Sequence, residues 1–173
     1  MKTPTKILIT AGILAGIGVS GVSLTSYAAN DSANTAVTVN LTVSDSIAIS
    51  SNTNTINLGT IATNATTTSG KSAVLTVNSN NLSGYTVSAT GTSLAGGAGT
   101  TAIPYAAVSS GTSAWGMSIT TDSGYGAITD IASTSAKSAS TGDTYTIYFG
   151  ASTSATQETG TYSGTATFTA TNK

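Results

Sequence analysis

Apolar and polar residues alternate along much of this chain with a period of two. Val37, Val39, Leu41 and Val43 stand between Thr38, Asn40 and Thr42, and Ile47 and Ile49 resume the pattern beyond Ser44-Asp45. A period of two sends successive side chains to opposite faces, so each run predicts a strand with one buried face. The same pattern predicts strands at Ile56-Asn57-Leu58, over 73–79 (AVLTVNS), over Tyr85–Ala89, over Trp115–Ile119 and over Tyr145–Phe149. The clearest run is the last: Tyr162, Gly164, Ala166, Phe168 and Ala170 share one face, and Ser163, Thr165, Thr167 and Thr169 the other.

Helix signals are almost absent. Threonine and valine are stiff at χ1 and favour strands, while glycine and asparagine punctuate turns. Short strands at fairly even spacing with turn signals between them predict an all-β fold, a single immunoglobulin-like antiparallel β-sandwich. Residues 90–112 are glycine-rich, with Ile103-Pro104-Tyr105 as their one apolar piece, and read as a long loop or an edge strand because proline cannot donate to a central ladder. Residues 121–143 are similarly irregular.

The first 28 residues follow a different pattern. Lys2 and Lys6 form a small positive head, residues 7–24 are apolar or small, and Ser26 and Ala28 occupy the −3 and −1 places of a cleavage site. These features predict a cleavable secretory signal peptide over 1–28 and a surface domain over 29–173. Its removal leaves 145 residues, enough for one core, with three lysines against six acids and a net charge of −3. So few cations exclude a basic patch, so no nucleic-acid partner is expected. No membrane partner is expected once the signal is gone.

Composition narrows the chemistry further. The chain has no histidine, no cysteine and no arginine. It therefore lacks the usual general base, the ready thiol nucleophile and the bidentate anion clamp. We expect no enzyme and no cofactor. A glycosidase would need two flanking carboxylates, for which Asp143 and Glu158 are the available pair. Asp122, Asp130 and Asp143 lack the spacing of a calcium loop, so no metal site is expected. Lys71 and Lys137 are candidates for an internal isopeptide bond or are ordinary exposed lysines. Asn30, Asn40, Asn64 and Asn81 begin N-x-Ser/Thr sequons.

Two groups of segments resemble the WxL domain of bacterial cell-surface proteins. One is Ile56-Asn57-Leu58-Gly59-Thr60-Ile61, followed by Leu75-Thr76-Val77 and Gly84-Tyr85-Thr86-Val87; the other is Tyr162–Ala170. Where that family carries tryptophan this chain has Tyr85 and Phe168, and where it carries leucine it has Val87 and Ala170. The resemblance implies a β-sandwich held noncovalently on the peptidoglycan of the cell wall.

Trp115, the single tryptophan, either stacks on a sugar ring together with Tyr105 or Tyr125, or plugs the core. With Tyr85 and Phe168 these make up the candidate binding residues. Two functions follow as expectations. The first is a noncatalytic secreted protein, retained at the cell surface by a cell-wall polymer or surface glycan. The second is self-association: a structural subunit of a strand-exchanged filament, in which 33–43 completes a neighbour's sheet. Alternatively, 33–43 is the first strand of the chain's own sandwich.

Overall fold

β-Branched and aromatic residues at alternate positions build seven strands among the described residues, and no helix. They are β1 (Ile47–Ser51), β2 (Ser72–Ser79), β3 (Tyr85–Gly91), β4 (Ala114–Ser118), β5 (Asp130–Ser133), β6 (Asp143–Ser152) and β7 (Ala166–Asn172). The computed structural model describes residues 36–66 and 71–173, so the expected signal segment 1–28 lies outside the described residues. Thr42–Lys173 forms one compact unit that holds all seven strands.

The strands form two antiparallel sheets, ordered β1-β2-β6-β4 and β5-β3-β7. In the first, Ile49 lies opposite Val77, Leu75 opposite Tyr145 and Met117 opposite Phe149. In the second, β3 is central, with Val87 between Ala132 and Ala170. Both sheets feed one buried cluster: Leu75, Val77, Met117 and Ile147 from the first and Tyr85 and Val87 from the second are each at most 1% exposed. Burying a side chain of this size contributes roughly 1.5–3 kcal/mol.

The turn between β2 and β3 shows why the chain reverses where it does. Gly84 has φ +89°, and a Cβ there would lie 2.3 Å from the Thr134 carbonyl oxygen, so only glycine fits. Beside it Asn81 is buried, its side-chain amide donating to the Lys173 carbonyl at 3.0 Å and to Asp45 at 3.2 Å. The Asn81 sequon is thus spent on structure.

Several elements differ from the alternation pattern. Residues 36–46 carry no strand, and Val37, Val39, Leu41 and Val43 are 74–86% exposed; 37–43 is not the first strand of these sheets. Ile56-Asn57-Leu58 is not a strand either. The Asn57 side chain accepts the Gly59 N–H at 2.8 Å, and Gly59 takes φ +81°, so the segment turns. Ile56, Leu58 and Ile61 still pack half-buried on the core. β5 lies inside the stretch expected to be irregular, and β7 starts four residues after Tyr162.

The glycine-rich stretch 90–112 folds back on β4. Leu94 and Ile103 exchange two backbone hydrogen bonds, of 2.8 and 2.9 Å. Pro104 uses its carbonyl, accepting the Trp115 N–H at 2.9 Å, while the Ala106 N–H reaches the Trp115 carbonyl. Met117 exchanges a further pair with Gly126. The outer edge of β4 is therefore covered.

Candidate functional site

The five aromatic residues singled out from the sequence fall in different surroundings. Tyr85 is 0%, Trp115 3% and Tyr125 5% exposed, whereas Tyr105 and Phe168 are half-buried. Tyr105 and Trp115 come together, with ring centroids 4.8 Å apart and planes at 42°. They close over Gly91, where a Cβ would lie 2.7 Å from Tyr105 and 2.8 Å from Trp115. Each polar ring atom is satisfied: the Trp115 indole donates to the Thr92 carbonyl and the Tyr105 hydroxyl to the Ile128 carbonyl, both at 2.9 Å. At 3% exposure Trp115 belongs to the buried cluster and offers no open ring face to a sugar. Tyr125 lies against Gly150 and donates to Asp122; burial, then that bond, pushes its hydroxyl up to about 12.

Tyr85 and Asp143 form a polar link between the sheets. The Tyr85 hydroxyl donates to Asp143 Oδ2 at 2.5 Å and lies 2.8 Å from the Tyr145 hydroxyl. The Ala139 N–H reaches Asp143 Oδ1 at 3.1 Å. Burial first, then the bonds to Asp143 and Tyr145, raise the Tyr85 hydroxyl far above its ordinary value. The Tyr85 bond first, then the Ala139 N–H, hold the Asp143 carboxyl below its ordinary range.

The carboxylates stay apart. Asp143 begins β6, whereas Glu158 lies beyond its far end and accepts from the Thr101 N–H and hydroxyl, each at 3.1 Å. A ten-residue strand spans about 30 Å, against the roughly 5–9.5 Å a glycosidase pair requires. Among the described residues no three acids gather where a metal ion could be held. Lys71 and Lys137 are both exposed.

Beside the Tyr85–Asp143 link lies an open depression of about 340 Å³. Its wall comes from β6 (Thr144, Tyr145, Thr146 and Tyr148), from Ile119 and Thr120 after β4, and from Ile131 of β5. No charged side chain lines it. Tyr145 and Tyr148 are half-buried and Ile119 is 41% exposed, so the wall combines apolar side chains with threonine and tyrosine hydroxyls. A cleft of this size with apolar rings and a few hydroxyls suits an uncharged polar ligand such as a sugar.

The sequence carried a signal for this cleft. Along β6, Ile147 and Phe149 point to the core, and Tyr148 stands in the opposite row with Thr144 and Thr146. A tyrosine in an outward threonine row is an apolar ring placed at the surface. Tyr148, not Trp115, is the outward ring beside the open cleft, while Tyr145 stands in the inward row with Ile147 and reaches the Tyr85 hydroxyl.

A second hydroxyl-rich surface covers the β5-β3-β7 sheet. Thr86 lies opposite Thr171 and Ser133, Ser88 opposite Thr169, and Thr90 opposite Thr167. Apart from the half-buried Ser88, these side chains are exposed. Strand geometry spaces the rows about 6.7 Å along the strands and about 4.8 Å across them.

Compared with family models, with curated proteins and with solved structures, the chain matches none.

Proposed function

We propose that this chain is a noncatalytic, exported surface protein whose β domain binds an uncharged glycan of the cell envelope. The observation that carries this reading is the cleft walled by Tyr145, Tyr148, Thr120, Thr144 and Thr146, which has no charged lining residue. Pyranose rings present apolar faces rimmed by hydroxyls, and the Tyr148 ring in one row with the Thr144 and Thr146 hydroxyls complements both. The proposed architecture is a two-layer antiparallel sandwich, immunoglobulin-like in kind, with the sheets closing on the shared cluster around Tyr85, Leu75 and Ile147. The signal-like segment 1–28 and the WxL-like pattern support retention at the cell surface or wall.

Retention on purified cell-wall polymer tests the proposal. The wild-type chain is expected to sediment with the polymer, and Tyr148→Ala to remain in the supernatant while melting at an unchanged temperature. A wild-type chain that stays in solution, or a Tyr148→Ala variant retained as well as wild type, overturns it.

A further inference from the structure

The segment 37–43 has a strand's alternation and no strand to belong to. Val37, Val39, Leu41 and Val43 are 74–86% exposed, which is costly for four aliphatic side chains within seven residues. No charged residue interrupts 37–43. Thr38, Asn40 and Thr42 occupy the alternate positions, so the segment has one apolar and one hydroxyl-rich face.

The described residues also contain an edge of matching length. β7 pairs with β3 alone, from Ala166 opposite Gly91 to Asn172 opposite Tyr85. The Thr92 N–H donates to the Thr165 carbonyl and the Lys173 N–H to the Gly84 carbonyl, which fixes the parity of the ladder. Odd-numbered residues of β7 bond to β3, so Ala166, Phe168, Ala170 and Asn172 turn their backbone N–H and C=O groups toward the free edge. The side chains of Ala166, Phe168 and Ala170 are only half-buried, and Thr167, Thr169 and Thr171 are exposed. Edge strands are commonly guarded by charge, proline or a bulge, and β7 has no charge, no proline and an unbroken register. β4 is covered by the segments around Ala106 and Gly126, while β1 and β5 are shorter, at five and four residues.

We propose that residues 37–43 of one copy add as a strand to the free edge of β7 in a second copy. Seven residues meet seven. The aliphatic row of 37–43 continues the row of Ala166, Phe168 and Ala170, and Thr38, Asn40 and Thr42 extend the exposed threonine face beside Thr167, Thr169 and Thr171. Because each copy carries both a donor and an acceptor, the contact is head-to-tail and propagates unless it closes on itself. Aligned end to end in either direction, the two segments place Asn40 opposite Thr169.

The chain has no cysteine, so introduced thiols report this pairing alone. Full chains carrying Asn40→Cys are mixed with full chains carrying Thr169→Cys and oxidised. A disulfide between the two copies is expected, well above the yield of an Asn40→Cys and Ser133→Cys mixture that targets the β5 edge. Equal yields overturn the proposal. So does a chain with both Asn40→Cys and Thr169→Cys that cross-links within a single copy. Light scattering gives a second readout: Leu41→Asp is expected to convert assemblies to single copies at an unchanged melting temperature. A mass distribution that Leu41→Asp leaves unaltered also overturns it.

Discussion

The hydroxyl of Tyr85 donates to the carboxylate of Asp143 at 2.5 Å and thereby ties the centre of one sheet to a central strand of the other. The tyrosine is fully buried, so its hydroxyl depends on this partner and on Tyr145. Replacing Tyr85 by Phe leaves the ring packing intact and removes the donor from Asp143. Loss of about 1–3 kcal/mol in urea unfolding is expected, with an unchanged m-value.

The same pair contributes to the acid side of the stability profile. Asp143 is held below its ordinary 3.8, chiefly by the Tyr85 hydroxyl. A lowered folded pKa means that the unfolded chain takes up the proton first as pH falls. The contribution is thus complete above about 3.8 and is lost as pH drops through the lower folded value. Glu158 shifts in the same direction through Thr101 and adds to the slope. Melting temperature measured against pH is expected to fall less steeply below pH 4 in Asp143→Asn than in wild type.

At alkaline pH the sign reverses. Tyr125 is pushed up to about 12 from 10.0, and Tyr85 is raised still further. Both keep their protons in the folded chain after they would ionise in the unfolded one. Their contribution is therefore intact below pH 10 and lost as pH rises through the folded values. Phenolate absorbance is expected to show Tyr85 and Tyr125 ionising only with unfolding, so fewer than the seven tyrosines titrate before the transition.

Gly150 supports Tyr125 from below. A Cβ at that position would lie 2.3 Å from the ring, and β6 is buried there. Gly150→Ala is expected to cost about 1–3 kcal/mol through overpacking. A matching loss of near-ultraviolet tyrosine dichroism would locate the damage.

Ser152 ends β6 fully buried, and its hydroxyl has no partner among the described residues. An unpartnered buried hydroxyl carries its desolvation penalty without return. Ser152→Ala is expected to raise stability by about 1 kcal/mol, read as a higher urea midpoint at constant m-value.

Alternation revealed those strands whose alternate residues meet the core. β2, β3 and β7 follow the pattern, with Leu75 and Val77, Tyr85 and Val87, and Phe168 and Ala170 directed inward. β5 escaped notice because Ile131 is its only fully buried apolar side chain and a register shift breaks its pairing with β3. At 37–43 the same pattern has no partner strand, since periodicity describes a face and says nothing of what covers it. The aromatic residues show a similar divide. Size and rarity drew attention to Trp115, but the backbone around Thr92 and Pro104 closes over it. Tyr148 is one of seven tyrosines, distinguished only by its outward position, which becomes visible once β6 is paired.

The order of the strands also governs when the chain can fold. β2 finds its inner neighbour in β6, about seventy residues later, and β3 finds its longest ladder in β7, about eighty residues later. Closing such distant pairs costs loop entropy before any contact forms. The first sheet has all its strands once Ser152 has been made, whereas the second waits for Asn172. Until then β3 has only β5 to pair with, a short ladder broken by a register shift, so the two sheets are completed one after the other.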